Sequence, residues 1–277
     1  MSQHNNAFNQ KKKAILDEIN SLQPDLSPKG TIDELCLPIM HLINSHDDMV
    51  TTSSCSGRIS VFAEGSKMHN GLQKVGGKGE GGKWLFVSHD NNNVIGWLET
   101  ISKEGINFVE TNIDDSTNHL DGGNRFILYK YEPFILHVKC RDFEMASKLY
   151  NVAMACGFRE SGIGSNNLVA IRINIKLDVP IGYIDENTND LKLFVPKDYI
   201  LLLDRLTLSK FEENSRKMQE LYDRIRVEII EVPKSESSKV ETKEERRERK
   251  MREGLAKQRI AQEQKMRNLS IEKEIID

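Results

Sequence analysis

The composition breaks at Pro233, and that break limits what this chain can fold. From Lys234 to Asp277 the sequence is mainly Lys, Glu, Arg and Ser with scarce apolar residues, too few to bury the surface that would offset the entropy of ordering. A packed core must therefore come from residues 1 to 233, expected here as one domain, with residues 234 to 277 as a charged tail that is disordered or a solvated helix. Glu244 with Glu248 and Arg246 with Lys250 have the spacing for such a helix. The break also hides a charge asymmetry within the net charge of −3: the tail carries 13 Lys and Arg against 10 Asp and Glu, leaving 26 against 32 for the body. Phosphate recognition needs Lys and Arg in place, so any RNA site on this acidic body must be a local basic patch.

The body has the material for a core. With 38% hydrophobic residues, 18 Gly and 7 Pro in 277 residues, collagen-like, mucin-like and wholly disordered classes are excluded. No apolar run approaches the ~18 residues of a membrane span, and the start Met1, Ser2, Gln3, His4 lacks a secretory pattern. Cys36, Cys55, Cys140 and Cys156 form no CxxC pair, which argues against a disulfide framework or zinc knuckle. The expectation is a soluble cytoplasmic protein with reduced thiols and no membrane contact.

Periodicity then places the elements. Phe8, Ile15, Leu16 and Ile19 predict an amphipathic helix over 8–21, and Ile32, Leu35, Ile39, Leu42 and Ile43 predict a second after a capping-box pattern at Thr31 and Glu34, with Pro38 breaking or kinking its first turns. Met49 to Glu64 reads as strand, tight turn at SSCSGR, strand. Gly65 to Gly82 reads as a mobile glycine-rich loop, Trp84 to Val87 as a strand, Asn93 to Lys103 as a helix and Asp114 to Asn124 as a polar connection. Phe126 to Cys140 predicts two strands meeting at Pro133. Phe143 to Cys156 predicts a helix stopped by Gly157, followed by strands at Leu168 to Ile175 and around Ile181 and Leu191. A long helix over Lys197 to Val227 would bury Tyr199, Leu202, Leu203, Leu206, Phe211, Met218, Leu221 and Ile225.

The candidate chemistry concentrates in SSCSGR. Ser53, Cys55, Gly57 and Arg58 offer hydroxyl, thiol and guanidinium at a sheet end, although a hairpin turn satisfying its own backbone accounts for the same residues. Cys55 would serve as a nucleophile with His89 or His137 as base, but no cysteine-hydrolase signature surrounds it. GGKGEGGKW, with Lys78 and Lys83, would cradle an anion through backbone amides, yet it matches no nucleotide-loop spacing. Trp84 would stack on a base. Arg159 and Arg172 would fork onto a carboxylate or phosphate, or simply pair with neighbours such as Glu160.

Five ordered segments carry a resemblance: SPKGTIDE at 27–34, TTSSCSGRIS at 51–60, GGKWLFVSHD at 81–90, EPFILHVKCRD at 132–142 and GFRESGI at 157–163. Over about residues 8 to 230 the chain resembles the wybutosine-pathway tRNA methyltransferases, the tRNA wybutosine-synthesizing protein 3 family, in a fungal-looking form. The resemblance implies an enzyme that uses S-adenosyl-L-methionine, without a metal, to methylate N4 of 7-(3-amino-3-carboxypropyl)-4-demethylwyosine at position 37 of tRNA(Phe), beside the anticodon, in contact with other enzymes of the pathway. No acidic residue followed by a GxG loop after a first strand is present, so the expected fold is α+β, a mixed and largely antiparallel sheet packed with helices, rather than a doubly wound Rossmann sheet. On the matching motifs, His89, His137 and Asp33 are candidate bases, Ser53, Cys55, Gly57 and Arg58 would hold the cofactor, and Lys83, Trp84, Arg159 and Arg172 would meet the substrate. A noncatalytic tRNA-binding module and a cysteine-dependent hydrolase acting through Cys55 are the rival readings.

Overall fold

Two strands of 15 residues each, β1 (Met49–Ala63) and β6 (Phe126–Cys140), pair antiparallel from Met49 opposite Cys140 to Ala63 opposite Ile127 and form the spine of the protein. The computed structural model describes residues 2–21, 30–69, 72–75, 79–111, 125–185, 188–231, 247 and 251. The expected polar connection at 114–124 and nearly all of the tail lie outside these. The chain divides into two units, Met1–Glu231 and Val232–Asp277, and every element named below belongs to the first.

Around the spine, β4 (Lys83–Ser88) pairs with the free edge of β1. The far edge of β6 is shared: β9 (Leu177–Ile184) takes residues 126–131 and β8 (Leu168–Arg172) takes 135–139, with the short β7 (Gly162–Ile163) outside β8. Beyond β9 come β10 (Leu191–Leu193) and β5 (Phe108–Glu110), whose pairing is parallel while every other strand pair among the described residues is antiparallel. The sheet is thus mixed and largely antiparallel, as the sequence led us to expect.

The spine bends at one point, and three residues explain how. Pro133 cannot donate to a ladder, and it lies in the gap between the β9 and β8 pairings. Its partner across β1 is Gly57, with φ +104°. A Cβ on Gly57 would come within 3.1 Å of the Tyr131 hydroxyl and 3.2 Å of Asn214 Nδ2, so glycine is required both for conformation and for space. Asn214 closes the seam: its Nδ2 donates to the Ser56 carbonyl and its Oδ1 accepts from the Phe134 amide, each at 2.8 Å. Here the alternation of β6 changes phase, from buried 127, 129 and 131 to buried 134, 136, 138 and 140. The expected strand–turn–strand at SSCSGR and the two strands meeting at Pro133 are therefore corrected. Glycine and proline mark a shared bend in two continuous strands.

The helices cover one side of this sheet. In α4 (Phe143–Ala155) the Asp142 carboxylate accepts from Met145 N at 2.9 Å, and Gly157 at φ +89° ends the helix with the paired bonds of a Schellman motif, Gly157 N to Met154 O and Phe158 N to Ala153 O. α1 (Ser2–Ile19) is held by Lys12, whose ammonium donates to the carbonyls of Asn44, His46 and Met49. Pro38 sits in the first turn of α2 (Leu37–Asn44), where a missing N–H costs nothing. The capping box at Thr31 and Glu34 does not form, because Asp33 leads instead into a 3₁₀ turn, Glu34–Cys36. Gly96, at φ +83°, delays α3 to Trp97–Lys103.

Two apolar clusters fill the interior. One joins Ile39, Ile43, Phe134, Leu149, Phe158 and Leu221; the other joins Ile59, Val61, Trp97, Tyr131, Leu203 and Phe211. Burial of each such side chain contributes ~1.5–3 kcal/mol. The long helix α5 (Lys197–Ile225) feeds both clusters, and its first turns are rotated from the expected stripe. Tyr199, Leu202 and Leu206 are exposed, while Ile200, Leu203, Asp204 and Thr207 face inward. The rotation is set by a buried polar network: Trp97 Nε1 and Tyr129 OH both donate to Asp204 Oδ1, at 3.1 and 2.8 Å. The glycine-rich stretch is also corrected, since β2 (Ser66–His69) and β3 (Leu72–Val75) pair antiparallel as a separate two-stranded sheet. A backbone ladder needs no apolar core, and Gly65 lets the Gly79 carbonyl lie where a Cβ would be.

Candidate active site

The side of the spine opposite the two clusters carries the chemistry. Cross-strand register puts Arg58 opposite Glu132, Cys55 opposite Ile135 and Ser53 opposite His137 on β1 and β6, and extends the same face to Arg172 of β8, opposite Ile135. Side chains alternate across a strand, so residues separated in sequence by more than a hundred positions meet on one surface.

At the end nearer β4, Arg58 Nε donates to Glu132 Oε2 at 2.6 Å, and the guanidinium lies 5.3 Å from the centroid of the half-exposed Trp84 ring. Trp84 packs in turn on Phe62, with ring centroids 4.7 Å apart. Because Glu132 takes only Nε, the two terminal nitrogens of Arg58 have no partner among the described residues.

Cys55 occupies the middle of the face. Asp33, 7% exposed, accepts from Ser56 N at 2.9 Å and stands 3.7 Å from His89 Nε2. An oxygen of Asp33, the sulfur of Cys55 and a nitrogen of His89 all lie within 4.8 Å of one another, a set of donor types that suits a cation. Burial, with the Asp33 charge adding to it, pushes the Cys55 thiol above its ordinary pKa. At neutral pH it is a thiol, a poor nucleophile.

Farther along, Ser53 Oγ lies 2.7 Å from His137 Nδ1. Burial, and then the nearby Arg172 charge, lower the pKa of His137 from the ordinary 6.5. At neutral pH this imidazole is uncharged and able to accept a proton.

Of the residues singled out in the sequence, Ser53, Cys55, Arg58, Trp84, His137 and Arg172 share this face, and Asp33 and His89 approach Cys55 from the loop before α2 and from the end of β4. Gly57 faces the seam rather than the open surface. Lys83 is exposed at the start of β4, and Arg159 is exposed after α4, its neighbour Glu160 pairing with Lys176 at 3.8 Å instead. The sequence reading missed Glu132, which holds Arg58, and Asn214, which fixes the strand beneath it. Asn214 had a signal: it falls on the same helical face as the buried Phe211, Met218 and Leu221.

Comparison with known proteins gives this face its family. The family model described as Methyltransferase TYW3 matches residues 10–227. The chain belongs to that family. It is 66% identical over 260 residues to tRNA wybutosine-synthesizing protein 3 of Saccharomyces cerevisiae, covering 92% of this chain and 95% of that protein. The protein of the same name from Schizosaccharomyces pombe is 37% identical over 226 residues, covering 80% and 88%. Among solved structures, PH1069 protein from Pyrococcus horikoshii OT3 superposes with a TM-score of 0.56 at 28% identity, over 79% of this chain and 94% of that one. As a TYW3 family member, the chain is a tRNA methyltransferase of wybutosine synthesis. No helix among the described residues is long and apolar enough to cross a membrane.

Proposed function

We propose that this enzyme transfers the methyl group of S-adenosyl-L-methionine to N4 of 7-(3-amino-3-carboxypropyl)-4-demethylwyosine at position 37 of tRNA(Phe), in the cytoplasm. The observation that supports this most is the gathering of Arg58, Trp84, Cys55, Ser53 and His137 on one face in a chain of this family. Residues 1–233 would be the methyltransferase domain and 234–277 an appended charged tail.

The donor set suits the cofactor. The terminal nitrogens of Arg58 match a carboxylate, and Ser53 and Cys55 would line the cofactor's place, with Gly57 shaping it from below by bending β1. Bound S-adenosyl-L-methionine would supply an electrophilic methyl group on a sulfonium, chemistry that requires no Lewis acid. What the chain must add is alignment, the largest contribution available to a transfer between two bound partners. The exposed ring of Trp84 offers a stacking surface for the tricyclic base, and Lys83, Arg159 and Arg172 offer charge to the amino-carboxypropyl group and the tRNA.

As N4 gains the methyl group its proton must leave. His137, uncharged at neutral pH and bonded to Ser53, is the acceptor we favour over His89, which with Asp33 braces the wall beside Cys55. The test uses phenylalanine tRNA from cells lacking the enzyme and from normal cells. Methylation of the tricyclic nucleoside only in the former is the expected result, and binding of both tRNAs without methyl transfer would leave a binding module instead.

A further inference from the structure

The open face neutralises its cations at one end and leaves them bare at the other. Near Trp84, Arg58 pairs with Glu132, and Lys130 pairs with Asp178 at 2.9 Å. Past Cys55 the pattern changes. Arg172, His137 and Lys139 follow one another along the register, opposite Ile135, Ala170 and Leu168 respectively, all on the solvent side. Lys11 of α1 stands close enough for its charge to be felt at Lys139. Lys139 donates only to the backbone carbonyl of Asn166, and among the described residues neither Lys11 nor Arg172 pairs with a carboxylate.

Four cationic or ionisable groups therefore stand side by side, on a body whose charge is 26 basic against 32 acidic side chains. Like charges placed together without counter-charges repel each other and cost stability, unless an anion completes them. From Ile135 to Lys139 the run spans about 13 Å, with Lys11 extending it, which is the reach of a nucleotide backbone rather than of one anion.

We propose that Arg172, Lys139 and Lys11 form a track for the tRNA phosphates flanking the modified nucleotide, so that the strand leaving the base at Trp84 runs along β6 toward α1. This rests on the tRNA methyltransferase reading above. It locates RNA affinity in a local basic patch of the folded body, the form that the body's acidic composition demands. Lys11 and Lys139 carry no assigned part in methyl transfer, so their effect belongs to binding.

The test measures binding of unmodified tRNA(Phe) by the full-length protein across a salt series, with single-turnover methylation alongside. Removing two phosphate contacts in the double variant Lys11→Gln/Lys139→Gln should lower the slope of log affinity against log salt by about 1.4–1.8. It should weaken binding roughly tenfold at physiological salt, leaving the single-turnover rate at saturating tRNA unchanged. The single variant Lys139→Arg should keep the wild-type slope, separating charge from any effect on the Asn166 loop. A control pair on the other side of the protein, Lys103→Gln/Arg205→Gln, should change the slope by less than half as much. An unchanged slope in the double variant, or an equal loss in the control pair, would overturn the track. If the double variant lost affinity for polyglutamate but kept it for tRNA, the surface would instead belong to an acidic protein. Wild-type protein that methylates tRNA while the double variant keeps its slope would remove the track alone; wild-type protein that does not methylate would remove the reading beneath it.

Discussion

The two faces of the β1–β6 spine are built from adjacent residues and obey opposite rules. Toward the helices, Ile59, Val61, Tyr129 and Tyr131 are fully buried; two polar side chains among them are held in place, Asp204 by Trp97 and Tyr129 and Asn214 by two backbone groups, while the Tyr131 hydroxyl has no hydrogen-bond partner among the described residues. Toward solvent, Arg58, Cys55, Ser53 and His137 alternate with them at one-residue spacing. Their contacts leave functional atoms available, such as the terminal nitrogens of Arg58. The difference teaches that one strand can carry the stability of the fold and its chemistry without either constraining the other, provided the bend at Gly57 and Pro133 keeps both faces in phase.

That separation is open to attack from both sides. Arg58→Ala should lower kcat/KM by about 10²- to 10³-fold with an unchanged melting temperature; unaltered kinetics would detach Arg58 from the site. Asn214→Ala leaves the Ser56 carbonyl and Phe134 amide buried without partners, which should cost about 3 kcal/mol in chemical denaturation. If stability were kept and only activity fell, the seam would belong to the chemical face after all.

Smaller effects sharpen the contrast. His137→Gln should slow methyl transfer by about 10²-fold. Because burial and Arg172 lower the His137 pKa, the wild-type rate should persist below pH 6.5 and fall only as pH passes the lowered value, an acid limb that the variant should lose. On the core face the sign is reversed. Burial raises Asp204 from 3.8 to about 6, so the folded protein binds the extra proton, and this contribution to stability is complete below pH 3.8 and disappears as pH rises through about 6. Asp204→Asn should remove about 3 kcal/mol of that pH dependence, read as the difference between the two denaturation curves. Last, Cys55→Ala should change turnover by less than about threefold, since the thiol is protonated and direct transfer to nitrogen needs no covalent step; total loss would revive Cys55 as a nucleophile.

Much of this was legible before any coordinates. Helical periodicity and the stop at Gly157 announced α4, and the motifs SSCSGR, KWLFVSHD and FILHV contained most of the residues that meet on the open face. What the sequence concealed was continuity and phase. Gly57 and Pro133 are the residues that ordinarily end strands, and only their position opposite one another reveals a shared bend. The first turns of α5 offered Tyr199, Leu202 and Leu206 as a stripe as regular as the true one, and the choice went to the face bearing Asp204, whose partners Trp97 and Tyr129 lie 107 and 75 residues away. Lys11 and Lys139 carried no local pattern, because a basic patch assembled from a helix and a strand has no signature along the chain.

The most direct test of the central claim, that the polar face of the spine is where the tricyclic base of tRNA is methylated, is a methyl-transfer assay. Purified protein, labelled S-adenosyl-L-methionine and phenylalanine tRNA from a strain lacking the enzyme would be combined, beside the Arg58→Ala and His137→Gln proteins. The account predicts label in the tricyclic nucleoside with wild-type protein and a loss of at least about 10²-fold with either variant, both remaining folded. Label at the wild-type rate in both variants would place the chemistry elsewhere on the molecule.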